Sequence, residues 1–250
     1  GKYLAFMVLN EGWYRPVVWE RESGKMHPVN LPSGKIVAAN AEFEWAPDGA
    51  KLFLPLQTEE WRKKASERFQ YETRGPIVFH SNKEPFLAWD DVRRLSQTRT
   101  LAAYNLVSGA TREVVPEKRI NSVTFTQDGA LVAYLEDITE KTDYDVISGT
   151  ESKVQVQPVI GGETRTVLKS TKERRLIWSR SGRHFAYAEK GNIFFASLED
   201  KEPRQLTGKK EDPKAAPPIE EAKKPGAEDK AKESYNPVRL SPDGHRMVAS

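Results

Sequence analysis

Residues able to do chemistry are present, but their spacing does not assemble them. The four histidines, His27, His80, His184 and His245, stand in unrelated contexts. His184 and His245 closely follow turn glycines, where a side chain normally faces solvent. Each reads as a surface histidine rather than a metal ligand or proton carrier. Asp48, Asp128 and Asp243 occupy one slot of a repeated motif, and turn chemistry accounts for that slot without calcium or acid–base work. Glu59-Glu60 could hold a substrate's free amino terminus through charge-assisted hydrogen bonds. Acids in a first helical turn also favour the helix dipole, and this is the preferred reading. Asp90-Asp91, after Trp89, reads the same way. The sequence contains no G-x-S-x-G elbow, H-E-x-x-H pair, phosphate-binding loop or dinucleotide glycine fingerprint. It has no cysteine, which excludes disulfides, thiolate nucleophiles and cysteine-ligated zinc. No catalytic, cofactor-binding or metal-binding residue is therefore assigned, and the substrate-binding residues are unknown.

What the sequence does specify is a scaffold. FEWAPDGAKLFLPL (Phe43 to Leu56) is two apolar runs joined by A-P-D-G, and the pattern returns at Val123–Leu135, Leu176–Ala188 and Val238–Ala249. The copies align on Gly49, Gly129, Gly182 and Gly244. Four residues earlier stand Trp45, Phe125, Trp178 and Leu240; three earlier, Ala46, Thr126, Ser179 and Ser241. Such a corner is a type I turn, in which the Asp side chain accepts a local backbone bond and the glycine goes left-handed. Each copy is therefore a tight hairpin. The bulky residue four before the glycine reads as core between sheets rather than a stacking platform. GKYLAFMV (Gly1 to Val8) matches the half of the motif after the glycine, and the sequence reads as part of a longer array.

A second hairpin fills each interval: Pro16–Val29, Thr100–Val115, Val154–Leu168 and Asn192–Leu206. Two hairpins per repeat give four strands per repeat. Four-stranded units recurring about every 40–50 residues are the pattern of β-propeller blades. The expected fold is all-β: a partial propeller of four to five antiparallel blades over residues 1–250, with a helical insertion and a disordered loop.

The longer intervals hold the insertions. Gln57–Gln70 reads as a short helix capped by Thr58, and Pro76–Ser96 as an irregular excursion. The blade insertion thus covers about 57–96. Lys209–Glu233 carries seven Lys, seven acids, four Pro and five Ala in 25 residues, too little apolar surface to fold, and reads as disordered. Across the chain 39 basic residues face 36 acids, for a net charge of +3 spread along its length. That balance argues for neither a nucleic-acid groove nor a membrane patch. No run approaches the roughly 18 apolar residues of a membrane span.

The W-[ST]-P-D-G corner followed by an apolar strand, with closing strands such as PRQLTG (Pro203–Gly208), resembles TolB-like and WD-like propeller repeats. With FLAWDDVRRLS beside TLAAYNLVSGATREV and the large insertions, the chain most resembles the propeller of prolyl oligopeptidase-family serine peptidases. That family includes dipeptidyl and acylaminoacyl peptidases. The resemblance implies seven or eight blades and a C-terminal α/β-hydrolase domain as partner, carrying the Ser, Asp and His of the triad. It further implies a propeller that covers the active site and admits short peptide substrates. No triad residue falls on a position of this sequence. With the missing cysteines, the resemblance leans toward an exported bacterial protein, periplasmic or secreted. The alternative is a stand-alone scaffold like the Tol-Pal periplasmic protein; a glycan-active propeller would need clustered site residues that the sequence lacks.

Overall fold

A computed structural model describes residues 1–10, 13–38, 41–75, 88–141, 151–171, 174–208 and 234–250. Lys209–Glu233, read above as a disordered loop, and His80 lie outside the described residues. The chain divides into two compact units, Gly1–Glu173 and Arg174–Ser250.

In the first unit, β1 (Tyr3–Asn10), β2 (Trp13–Glu20) and β3 (Met26–Pro28) form an antiparallel meander, sheet 1. The chain then builds β4 (Lys35–Val37), β5 (Glu44–Trp45) and β6 (Lys51–Thr58). Two helices follow: α1 (Glu59–Arg74) and α2 (Ala88–Gln97). After them come β7 (Thr98–Asn105), β8 (Thr111–Phe125), β9 (Leu131–Asp137), β10 (Ser152–Pro158) and β11 (Arg165–Leu168). β5, β6, β7 and the first part of β8 make sheet 2; the rest of β8 with β9, β10 and β11 makes sheet 3. β8 is thus one continuous 15-residue strand where two separate strands were expected. No turn separates its halves. Its register shifts where Val115 and Lys118 face Leu101 and Arg99, around Pro116, which has no N–H to give.

The core lies between these sheets. All of KLFLPLQT in β6 except its two ends is buried, so the strand is apolar on both faces. Leu52, Leu54 and Leu56 pack with Val18 and Tyr3 of sheet 1. Phe53 turns the other way and packs with Ile120, Val132 and Tyr134 of sheet 3. Strand alternation produces this split directly. The bulky residue before the first two corners bridges sheets, as its recurrence implied. Trp45 stacks on Tyr3 with ring centroids 6.1 Å apart, and Phe125 on Phe53 at 3.9 Å. Three successive blades of a partial propeller result.

The second unit repeats the plan. β12 (Ile177–Trp178), β13 (His184–Glu189), β14 (Asn192–Ser197) and β15 (Arg204–Gln205) form a four-stranded meander, and β16 (Pro237–Leu240) pairs with β17 (Met247–Ala249). Here Trp178 packs on Phe185 within one sheet, at 5.0 Å.

The corner is the same in all four copies. The glycine N–H donates to the carbonyl three residues back: Gly49 to Ala46 (2.8 Å), Gly129 to Thr126 (2.8 Å), Gly182 to Ser179 (3.0 Å) and Gly244 to Ser241 (2.9 Å). The glycine φ angles are 67°, 67°, 69° and 80°. Asp48, Asp128 and Asp243 each accept the N–H two residues on, at 2.9, 3.1 and 3.0 Å. Where the small residue is Thr126, Ser179 or Ser241, its hydroxyl also accepts the N–H five residues on, at 3.0, 3.2 and 2.9 Å. Another recurring bond was not anticipated. The carbonyl just after the glycine accepts from the end of the third strand: Ala50 from Leu106, Ala130 from Val159 and Arg183 from Leu198. Lys2 accepts from Arg21 in the same way, so Gly1–Val8 takes the register of the half-motif it matches.

The copies differ in what surrounds the glycine. Around Gly49 there is open space, whereas a Cβ on Gly244 would stand 2.3 Å from Nδ1 of His184. Gly49→Ala should cost about 1–2 kcal/mol, the strain of a left-handed residue alone. Gly244→Ala should cost more than that in its own unit. Urea unfolding of the two variants, followed by the fluorescence of half-buried Trp45 and Trp178, tests the order.

Candidate functional site

The insertion is the largest departure from the bare repeat. Thr58 caps α1 as expected, its hydroxyl accepting from the Trp61 N–H at 3.3 Å. The helix runs to Arg74, past the expected end at Gln70. The expected irregular excursion over Pro76–Ser96 is corrected in part: residues 88–97 are the helix α2, and 76–87 lie outside the described residues. Asp90 and Asp91 in its first turn and Arg94 in its last complement the helix dipole.

The acidic pairs are absorbed by these helices. Glu60 pairs with Lys64 one turn on, at 2.7 Å, and both are exposed. Its carboxyl pKa is held down by that lysine's hydrogen bond and charge. Glu59 is exposed beside a cleft of about 420 Å³ that also borders Tyr14, Arg15 and Lys35. Asp91 reaches Arg68 of α1 at 3.2 Å, and Asp90 pairs with Arg93 at 2.9 Å. Both pairs therefore do structural work at or between helices.

The most deeply buried ion pair among the described residues was invisible in the sequence. Arg94 of α2 reaches Asp137 at the end of β9, with Nη1 3.2 Å from Oδ2. Only 1% of the Asp137 side chain and 10% of the Arg94 side chain is exposed. The other carboxylate oxygen of Asp137 accepts the Thr139 N–H at 2.8 Å. Burial lowers the Arg94 pKa, and Asp137 opposes that shift. Gln57, buried at the end of β6, donates its amide to the carbonyls of Ser96 and Thr98, at 2.7 and 3.1 Å. Those bonds occupy carbonyls at the helix end that would otherwise lack partners. Trp61 donates its indole N–H to Glu117 of β8 at 2.7 Å, which ties α1 to the same region.

His27 lies 4.0 Å from Glu20. His245 is exposed, as expected, but His184 is half-buried. Its ring stacks on Phe195 at 5.5 Å and lies against the Cα of Gly244, with the His245 ring 6.1 Å away. Its Nδ1 is buried without a hydrogen-bond partner among the described residues. In sheet 1 the slot two after the corner glycine is filled by Tyr3, which packs into the core, and His184 fills that slot here. Among the described residues, no three His, Asp or Glu side chains are grouped to hold a metal. Among the described residues, no helix is long and apolar enough to cross a membrane.

A cavity of about 310 Å³ opens between sheets 2 and 3. Phe53, Leu101, Ile120, Val123 and Phe125 form its apolar wall, and Arg99, Asn121, Glu42 and Glu44 supply its polar groups. Nothing in the sequence signals it, because its lining comes from four separate stretches.

No known protein family matches the sequence, and no curated protein matches it. Among solved structures, the chain is similar to the acylaminoacyl peptidase of Pyrococcus horikoshii, with 14% identity and a TM-score of 0.49 over 99% of this chain and 33% of that one. It is similar to the β-propeller domain of the Trilobed protease from Pyrococcus furiosus, with 11% identity and a TM-score of 0.47 over 100% of this chain and 60% of that one. It is also similar to TolB from Acinetobacter baumannii, with 14% identity and a TM-score of 0.41 over 80% of this chain and 39% of that one. The likeness is one of fold. The chain spans between 33% and 60% of the length of these proteins.

Two measurements follow from the geometry. Arg94→Met leaves Asp137 buried without its cation and should cost about 3–5 kcal/mol, while Arg94→Met with Asp137→Leu should recover much of the loss. Chemical denaturation of the two variants distinguishes a true ion pair from simple packing. For His184, burial lowers the pKa below its ordinary 6.5; His245 and Arg183 add to the shift, and Glu199 and Asp200 oppose it. The unfolded chain then binds the proton more readily, so stability is intact above that pH and lost as pH falls below it. Comparing unfolding midpoints at about pH 7.5 and about pH 5.5, His184→Phe should show a smaller drop than the parent.

Proposed function

We propose that this chain is the non-catalytic propeller portion of a serine peptidase, covering the active site and gating access to it for short peptides. The observation that carries this reading is the uniformity of the corner. Asp48, Asp128 and Asp243 are all engaged in the same backbone bond, and the bulky anchors Trp45 and Phe125 are engaged in stacking between sheets. The recurrent residues are thus committed to architecture, and bond cleavage falls to a separate α/β-hydrolase domain carrying Ser, Asp and His. A cover has a clear physical use. It excludes folded proteins by size and keeps bulk water from the reacting groups. The repeat's resemblance to the propellers of prolyl oligopeptidase-family enzymes supports this assignment, as does an insertion of two packed helices fixed to the blades through Arg94 and Gln57.

A stand-alone TolB-like scaffold that binds proteins through its loops is the second reading, favoured by the same corner. The two differ in what the gene encodes after these blades. The peptidase reading expects further blades and then a G-x-S-x-G on a strand–turn–helix. The full-length protein should then cleave short chromogenic peptides and lose that activity to a serine-reactive phosphonate, and the 250-residue chain should do neither. A gene that ends after its blades, with no hydrolase domain, decides for the scaffold.

A further inference from the structure

The cavity between sheets 2 and 3 contains a charge that sheet packing does not require. Sheets that stack face to face normally fill the gap with apolar side chains, as Phe53, Leu101, Ile120 and Phe125 do here. Arg99 of β7 places a guanidinium among them. Its Nε is buried and has no hydrogen-bond partner among the described residues. Burial lowers its pKa, with only Glu42 acting in the opposite direction. A half-buried guanidinium whose Nε is sealed off without an acceptor is rarely kept, because that donor's lost hydration is not offset.

Two further features give the cavity polarity. Asn121 donates its amide to the Ser152 hydroxyl at 3.0 Å, which fixes the orientation of the group and leaves Oδ1 buried without a partner. Its free group is therefore an acceptor beside a donor. Glu42 and Glu44 are both exposed where they border the cavity. The protein packed around Glu44 raises its carboxyl pKa, and the charge of Glu42 adds to the shift.

These groups select among ligands by charge. A neutral molecule leaves the guanidinium uncompensated. A multiply charged anion meets two carboxylates at the entrance. A simple cation is held at the entrance and repelled inside. We propose that the cavity binds a small zwitterion with an apolar side chain, an amino acid or dipeptide, its carboxylate on Arg99 and its ammonium on Glu42 and Glu44. The guanidinium suits a carboxylate through paired N–H donors, and an ammonium has donors for both glutamates. Asn121 Oδ1 accepts a remaining N–H, and the apolar side chain lies against Phe53, Leu101 and Phe125. A volume of about 310 Å³ is at the small end of ligand sites, which run from about 300 to 1,000 Å³, and leaves no room for a longer peptide. This assignment is independent of the peptidase and scaffold readings.

The test is titration of the 250-residue chain by calorimetry and amide NMR with L-leucine, L-leucyl-L-leucine, leucinamide and isocaproate. Leucine or leucyl-leucine should bind and shift amides in β7 and β8. Whichever binds more tightly identifies the source as an amino acid or a dipeptide. Leucinamide, which lacks the carboxylate, should bind roughly 10- to 100-fold more weakly, the worth of a hydrogen bond to a charged group. Arg99→Gln should reduce leucine to the level of leucinamide. Glu42→Gln with Glu44→Gln changes two exposed side chains, which guards against misfolding. That variant should weaken leucine and leave isocaproate unchanged or tighter. The proposal is overturned if neither zwitterion binds the parent chain, if leucinamide binds as well as leucine, or if the double glutamate variant binds leucine unchanged.

Discussion

A β-sheet that is apolar on both faces cannot stand alone in water, and everything in this molecule follows from that constraint. β6 shows it most fully. Leu52, Leu54 and Leu56 leave one face and Phe53 the other, each at most 1% exposed. Another sheet covers this strand on each side, sheet 1 against the leucines and sheet 3 against Phe53. Stacking then becomes the architecture, and the aromatic at the end of each first strand sets how neighbouring sheets meet. The corner serves this arrangement by bringing the chain back through a tight turn, so that both strands of a hairpin present complete rows.

Much of this was legible before any coordinates. The corner is local, its hydrogen bonds spanning two to five residues, so its chemistry can be read from S-P-D-G alone. The anchors Trp45 and Phe125 were legible because repetition converts a single bulky residue into a rule. The polar links were not. Arg94 and Asp137 are 43 positions apart, and either residue in isolation looks like one more surface charge. The burial of His184 was missed because its neighbours in sequence are turn residues, while its neighbours in space are Phe195 and Gly244. α2 was missed because its reason to be helical lies elsewhere, in the glutamine that occupies carbonyls at its end and the aspartate that takes its arginine. The shared strand β8 was missed because strong punctuation elsewhere suggested that every repeat must begin with a break.

The distribution of polar chemistry fits a scaffold with one addition. The aspartates of the corners and most charged residues of the helices find partners close by, which commits them to the fold. Arg99 and Asn121 differ in bordering one cavity together, each with a buried polar atom that the fold leaves without a partner among the described residues. A protein that gains nothing from such groups would be expected to replace them with leucine, since an apolar residue of similar size stabilises as well or better.

β8 carries a consequence for cooperativity. One strand closes sheet 2 and opens sheet 3, with Leu101 facing Val115 on one side and Phe125 facing Val132 on the other. In stacked repeats, the tendency of neighbours to melt together grows with the free energy of the junction between them. Here the junction is covalent backbone as well as side-chain contact. Fraying of the sheet 2 edge pulls on the first strand of sheet 3, so these two blades behave thermodynamically as one element.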